Sequence, residues 1–495
     1  MPRRTPSTRA GALLLAVLAL GGCASPRFEN QPLAAAQPNP ERRQIDLAHP
    51  ERPVLLVAIS GGGSRAAALG WSVLRELSAQ QYVSAGATRS LADDVGVVSS
   101  VSGGSVIAAD FALHGKAGLE RFDSAFLQPD NKEALAVDIA NPFSVLSSAF
   151  SGSSRTDRVE ALFDARLFDH QRFASLNQPG KPYLVLNATD MSSGERFAFT
   201  PGRFDDICAD LDAQTISSGV AASSAVPLVL APIALRNYSG PACPATPASD
   251  WPARELRKTY APYVNVETYK RARYANDLRH GDNAFRRIDY LYLLDGGLVD
   301  NLAVHGLIET LTAPDGPRLL APGGTPATLL SAMNQGAIRK LVVLSINSRA
   351  EADSDMAVTD SRPGLAAMFG AVASVPIDSA SASVSSQLGV LMDTINAAAQ
   401  AGLANASFSG MQVYKIDIDF DQLRTPAQAE LRHAAKNVPT SWTITRHNRD
   451  VIVEAGTTLL HQHPCWQKLL LDMGIAAPYA DAGFAATGCP TAARP

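Results

Sequence analysis

Apolar runs of six to nine residues recur along this chain, and several stop at a cluster of Ser and Gly. VLLVAI (54–59), VGVVSSV (95–101), KPYLVLNAT (181–189) and LVVLSIN (341–347) are continuous rather than alternating. Continuous apolar runs of that length mark strands buried on both faces. Between them the period changes. Leu69, Val73, Leu74 and Leu77 fall on one face at helical spacing, SVIAADFAL (105–113) continues as a helix, and ITRHNRDVIVEAGTTLL (444–460) repeats the pattern. Strands alternating with helices predict an α/β class: a three-layer α/β/α fold around a mostly parallel sheet. The tail is read as a helical C-terminal extension, with 351–410 rich in Ala and Ser and of mixed helix and loop character.

The N-terminus departs from this pattern. Arg3, Arg4 and Arg9 precede an uncharged stretch, AGALLLAVLALGG (10–22), too short to cross a hydrocarbon core of about 30 Å as a helix. A basic start and a short apolar stretch read as a secretory signal. It ends Leu20-Gly21-Gly22-Cys23, which resembles the bacterial lipoprotein box, where the cysteine is acylated and becomes the new N-terminus. Ala24 follows rather than an inner-membrane retention Asp, so the expected location is the cell envelope, at the outer membrane. Residues 23–50, with Pro, Asn and Gln and no apolar period, read as a tether. Removing residues 1–22 takes three arginines and no acid, moving the net charge from −4 to −7. Such a chain is no general polyanion binder, and no nucleic-acid partner is expected.

With Cys23 assigned to lipid, Cys208, Cys243, Cys465 and Cys489 remain. An even number in an oxidising compartment points to disulfides. Pairing Cys208 with Cys243 and Cys465 with Cys489 closes the shortest loops; free buried thiols are the alternative. No His/Cys spacing suits a metal, and no cofactor is expected. A polar insertion, 236–292, holds seven of the eleven tyrosines, and within 251–290 nine basic residues face five acids. Interleaved Tyr and Arg suit a headgroup zone, making the insertion a candidate lid or docking element. The alternative is a solvated excursion clipped by a Cys208–Cys243 bridge.

The chemistry lies in three turns. Ser100-Val101-Ser102-Gly103-Gly104 joins a strand to a helix, as a nucleophile elbow does. That turn lifts a hydroxyl clear of the sheet at the positive end of a helix. Gly61-Gly62-Gly63 follows the first strand and presents backbone amides that could hold an oxyanion, with Arg65 adding fixed charge. The same loop fits a dinucleotide pattern, Gly61-x-Gly63-x-x-Ala66, but the next strand ends in Ser102 where an acid is wanted for the ribose. In LYLLDGGLVDN (291–301), Asp295 ends a strand beside Gly296 and Gly297, placed to orient or deprotonate a serine. Alone it could equally cap its own turn.

Taken in order, these three elements resemble the patatin-like phospholipase family, whose pattern is a G-G-G-x-R/K loop, a G-x-S-x-G elbow and a D-G-G/A motif. AASSAVP (221–227) and NATDMSSGERFAF (187–199) resemble two further stretches of that family. Ser100 stands where the family usually has Gly. The resemblance covers roughly residues 52–310 and implies a Ser102–Asp295 dyad without histidine. It implies an acyl-enzyme on Ser102 and an oxyanion site at Gly61, Gly62, Gly63 and Arg65, acting on acyl esters of membrane lipid. His305, His433 and His447 carry no supporting motif for a triad. An acyltransferase using the same dyad and a non-catalytic lipid-binding lipoprotein are the alternatives. The expected organisation is a signal peptide at 1–22, the tether at 23–50, a catalytic domain at 51–350 carrying the insertion, and the extension at 351–495 packed on that domain.

Overall fold

In the computed structural model, the described residues are 28, 30–35, 45–46, 49–129, 155–227, 229–244, 251–258, 266–280, 287–312, 319–320, 326–350, 365–400, 411–476, 479, 483 and 488–489. The signal segment and Cys23 lie outside them.

Eight strands form the central sheet: β1 (Pro53–Ile59), β2 (Val95–Val101), β3 (Tyr183–Asp190), β4 (Arg196–Phe199), β5 (Ile233–Arg236), β6 (Tyr290–Asp295), β7 (Lys340–Asn347) and β8 (Gln412–Asp419). Their order is β8-β7-β1-β2-β3-β6-β5, with β4 also on β3. The first five in that order run parallel, while β4, β6 and β5 are antiparallel to their neighbours. Helices α1 (Gly63–Ala79), α2 (Gly103–His114), α3 (Ile216–Ser223), α4 (Val266–His280), α5 (Val304–Thr312), α6 (Leu365–Gln400), α7 (Arg446–Gln462) and α8 (Pro464–Asp472) surround it. The extension is therefore more than helical packing, because its β8 completes one sheet edge.

The continuous apolar runs have the expected cause. On β1, Leu55, Val57 and Ile59 face one core with Leu69, Ile107, Leu459 and Trp466. Val54, Leu56 and Ala58 face the other with Leu307, Leu311, Leu388 and Met392. Fully burying one such side chain contributes roughly 1.5–3 kcal/mol. With helices on both faces, the alternating pattern of a half-exposed strand cannot arise.

Two segments behave differently from their sequence reading. Part of the tether is docked: Phe28 bridges Ala234, Asn30 exchanges side-chain hydrogen bonds with the Arg236 backbone, and Leu33 N–H donates to Cys208 O. The physical reason is the open edge of β5, whose unpaired backbone groups need partners. The described part of the insertion is folded in as well. Arg271 stacks on Trp251 and pairs with Glu309, Arg279 pairs with Asp206, and Tyr274 donates to Asp190. Arg271 is only 12% exposed, so its charge serves the interior and is not offered to a headgroup, whereas Arg273 remains 64% exposed. Cys208–Cys243 and Cys465–Cys489 are both bridged.

Candidate active site

The sheet register brings Ser102 and Asp295 together. Leu186 of β3 pairs with Ser100 of β2 and Phe199 of β4. Ala188, two residues on, pairs with Phe197 of β4 and Asp295 of β6. A strand residue offers one partner per edge, so β4 holds one edge of β3 while β2 and β6 share the other, end to end. β2 stops at Val101 and β6 arrives from the opposite direction to stop at Asp295. The two candidate residues meet at the gap between the strand ends.

Ser102 sits at φ 53°, ψ −126°, a backbone state that non-glycine residues rarely adopt and that marks strain at functional turns. The turn needs small neighbours, since a Cβ on Gly103 would overlap Gly63 O. That overlap also shows the triple-glycine loop lying directly on the elbow. Ser100, at the position usually held by glycine, is fully buried, and its hydroxyl accepts from Ser105 Oγ at 3.1 Å.

Asp295 is buried and receives the Gly297 N–H at 2.7 Å. Burial raises its pKa to about 6, against the opposing pull of that amide and of a hydrogen bond with the Ser102 side chain. No cation among the described residues pairs with it. A carboxylate so placed approaches the range useful to a general base near neutral pH.

Ser223, within AASSAVP, ties both strand ends together. Its Oγ and its carbonyl accept the Ser102 N–H at 3.0 and 3.2 Å, and the same carbonyl accepts the Gly296 N–H at 3.2 Å. Its hydroxyl donates to Asn187 O at 2.6 Å, and Asn187 Nδ2 donates to Ser100 O at 2.9 Å. The Asp295 N–H donates to Ala225 O at 2.9 Å. Sequence reasoning picked out this segment by resemblance but gave Ser223 no role. A serine in a helical run carries no signal of what its hydroxyl spans.

The four oxyanion candidates are not equivalent. Gly61 N–H already donates to Asn301 O at 2.9 Å. Gly62 and Gly63 head α1, where first-turn amides have no intrahelical acceptor, and no described hydrogen bond uses either N–H. The Gly103 N–H at the start of α2 is likewise open. Arg65 is committed to backbone and hydroxyl acceptors. Its guanidinium donates to Ser348 O at 2.7 Å, to Val438 O and to Thr440 Oγ1 at 3.1 Å. Burial lowers its pKa to about 10, leaving it charged. It clamps the extension beside the glycine loop, where Ser441 O also accepts both the N–H and the Oγ of Ser64.

His305 faces Asp300, with Nδ1 at 3.6 Å from Oδ2. Asp300 also accepts the Val304 and His305 N–H groups, capping α5. Burial works against protonating this histidine, but the Asp300 carboxylate outweighs it and raises the pKa. His433 lies on the surface beside Asn437. Among the described residues no group of His, Cys, Asp or Glu is arranged to hold a metal ion, and no helix is long and apolar enough to cross a membrane.

The family model described as patatin-like phospholipase matches residues 57–308. Comparison with curated proteins gave no match. Among solved structures, the chain is similar to human GIVD cytosolic phospholipase A2 at 11% identity and a TM-score of 0.41, covering 95% of this chain and 65% of that one. The same human protein in complex with methyl gamma-linolenyl fluorophosphonate gives 11% and 0.36, with coverages of 86% and 59%. The chain thus spans less than two thirds of the length of these structures.

Proposed function

Because the chain belongs to the patatin-like phospholipase family, we propose that it hydrolyses acyl esters of membrane lipids through Ser102 and Asp295. The observation that carries this reading is the buried Asp295, held against the Ser102 hydroxyl with no counterion among the described residues and its pKa raised to about 6. Ser102 Oγ attacks the ester carbonyl while its proton passes to Asp295. Charge on the former carbonyl oxygen is met by amides, and Gly62, Gly63 and Gly103 are the open donors; one such donor is typically worth about 10²–10³ in rate. Collapse expels the alcohol, which takes the proton from Asp295 and leaves the acyl group on Ser102. Water then attacks the acyl-enzyme, gives a proton to Asp295, and the free fatty acid leaves as the proton returns to Ser102.

The lipoprotein reading joins this one. Acylation at Cys23 would anchor the enzyme by several chains without a membrane helix, at the cell envelope and on the outer membrane. Transfer of the acyl group to an alcohol in place of water uses the same residues and differs only in the acceptor. The test is a serine-directed phosphonate probe with mass-spectrometric mapping of the adduct. Labelling of Ser102 that disappears in Asp295→Asn supports the dyad; labelling of another serine, or equal labelling in Asp295→Asn, refutes it. Product analysis with added acceptor alcohol separates hydrolysis from transfer.

A further inference from the structure

The docked residues Phe28, Asn30 and Leu33 determine where the chain enters the folded domain. Phe28 makes a parallel bridge with Ala234 of β5 and stacks on Tyr290 of β6, with ring centroids 5.1 Å apart. Cys23 lies five residues earlier. A fully extended chain spans about 3.5 Å per residue, so a lipid on Cys23 would stand at most about 18 Å from this edge of the sheet. A tether that short leaves little choice of which face meets the bilayer.

Exposed apolar side chains recur along that edge of the sheet. Of the eight large ones exposed among the described residues, Met191, Val226, Val229 and Tyr290 all border β6 or the loop that supports it. Met191, 61% exposed, follows β3, and its N–H donates to Tyr292 O. Val226 follows Ala225, whose carbonyl takes the Asp295 N–H, and Val229 N–H donates back to Val226 O. Leu230 N–H also donates to Val226 O, and β5, beside which Phe28 is docked, begins three residues later. Exposed apolar groups recurring along one strand can form an interaction site, and a tyrosine ring suits the headgroup boundary.

We infer that Met191, Val226, Val229 and Tyr290 seat on the bilayer that holds the acylated Cys23, so that substrate reaches Ser102 from the anchoring membrane itself. This inference rests on the hydrolase and lipid-anchor readings above. The short tether supplies proximity, and the apolar rim supplies orientation.

The test uses the full lipidated protein reconstituted in phosphatidylethanolamine/phosphatidylglycerol vesicles containing a fluorogenic phospholipid. Hydrolysis in the same vesicle should exceed hydrolysis in enzyme-free acceptor vesicles by at least about tenfold, since anchoring raises effective concentration. Met191→Glu combined with Val229→Glu should lower same-vesicle hydrolysis about tenfold through loss of apolar insertion, without a change in melting temperature. Val83→Glu, at a still more exposed valine on the hairpin beyond α1, should change nothing. Equal rates in the two vesicle populations, or an undiminished rate in the double variant, overturn the inference. A Ser102-dependent activity on a short soluble ester keeps the hydrolase reading in that event. Absence of that activity refutes the hydrolase reading instead. Failure of mass spectrometry to find acylated Cys23 refutes the anchor.

Discussion

Asp295 and Glu309 are both carboxylates taken largely out of water, yet their proton affinities are moved in opposite directions. Glu309 lies against Arg196 and Arg271. Burial pushes its pKa up, the two guanidiniums more than reverse that, and it falls to about 2. Asp295 has a hydroxyl and one amide for company, and burial raises it to about 6. Burial therefore does not separate the structural acid from the chemical one; the presence of a counterion does. Glu309 sits in a charge cluster that fastens α4 of the insertion to α5. Asp295 is left with unspent basicity, which a proton-transfer step can use.

The largest expected effect breaks the chemical side of this contrast. Ser102→Ala and Asp295→Asn should each lower kcat/KM for an ester by on the order of 10⁴-fold, the scale seen when one member of a catalytic unit is removed. In the wild type, kcat/KM should rise with pH through a midpoint near 6, where Asp295 loses its proton, and then level off. A midpoint near 4, the ordinary aspartate value, would show that burial does not raise the Asp295 carboxyl in the working enzyme.

Stability should show the two acids with opposite signs. A lowered pKa means that Glu309 stabilises the fold above its unfolded value, and that this is lost as pH falls through about 2. Glu309→Gln should therefore destabilise by about 3 kcal/mol at pH 7, the cost of leaving buried arginines without their partner, and differ little from wild type at pH 2. A raised pKa has the reverse meaning. Below its unfolded value Asp295 is neutral in both states, and folding is progressively penalised as pH rises through about 6. Asp295→Asn should then be more stable than wild type by up to about 3 kcal/mol at pH 8, with the advantage gone near pH 3. Denaturant melts at both pH values test both variants, and two variants shifting the same way would undo the comparison.

The smallest effect sharpens it. Ser223→Ala removes one of two acceptors of the Ser102 N–H and the donor to Asn187 O. One hydrogen bond is worth about 1 kcal/mol, so kcat should fall about five- to tenfold with KM nearly unchanged. A purely structural serine would lower melting temperature without that split.

What was legible in the chain follows from where the signal resides. The parallel strands show as apolar runs because both faces are buried, and the two glycine turns show because close backbone approach excludes side chains. Asp295 was legible through its two glycines. The part played by Arg65 was not. Sequence places it beside the glycine loop, but a long side chain can point either way, and its acceptors, Ser348 O and Val438 O, lie almost three hundred or more positions away. The docking of Phe28, Asn30 and Leu33 was hidden for a similar reason: backbone pairing at a sheet edge asks little of side-chain type. The burial of Arg271 was masked by counting charge along the chain, since its partner Glu309 lies outside the counted window.

The end-to-end placement of β2 and β6 has a consequence for how such a protein can change. The spacing between hydroxyl and carboxylate is set by two neighbouring rungs of β3, and the loops only deliver the strands. The stretches of 237–289 outside α4 can therefore lengthen, shorten or acquire a new partner without moving the base, provided β6 keeps its register. A slip of one residue would be another matter: it would carry Asp295 to the opposite face of the sheet. Change is thus less constrained in the outer segments than at that one rung, a division of labour that would let substrate access alter while the chemistry stays still.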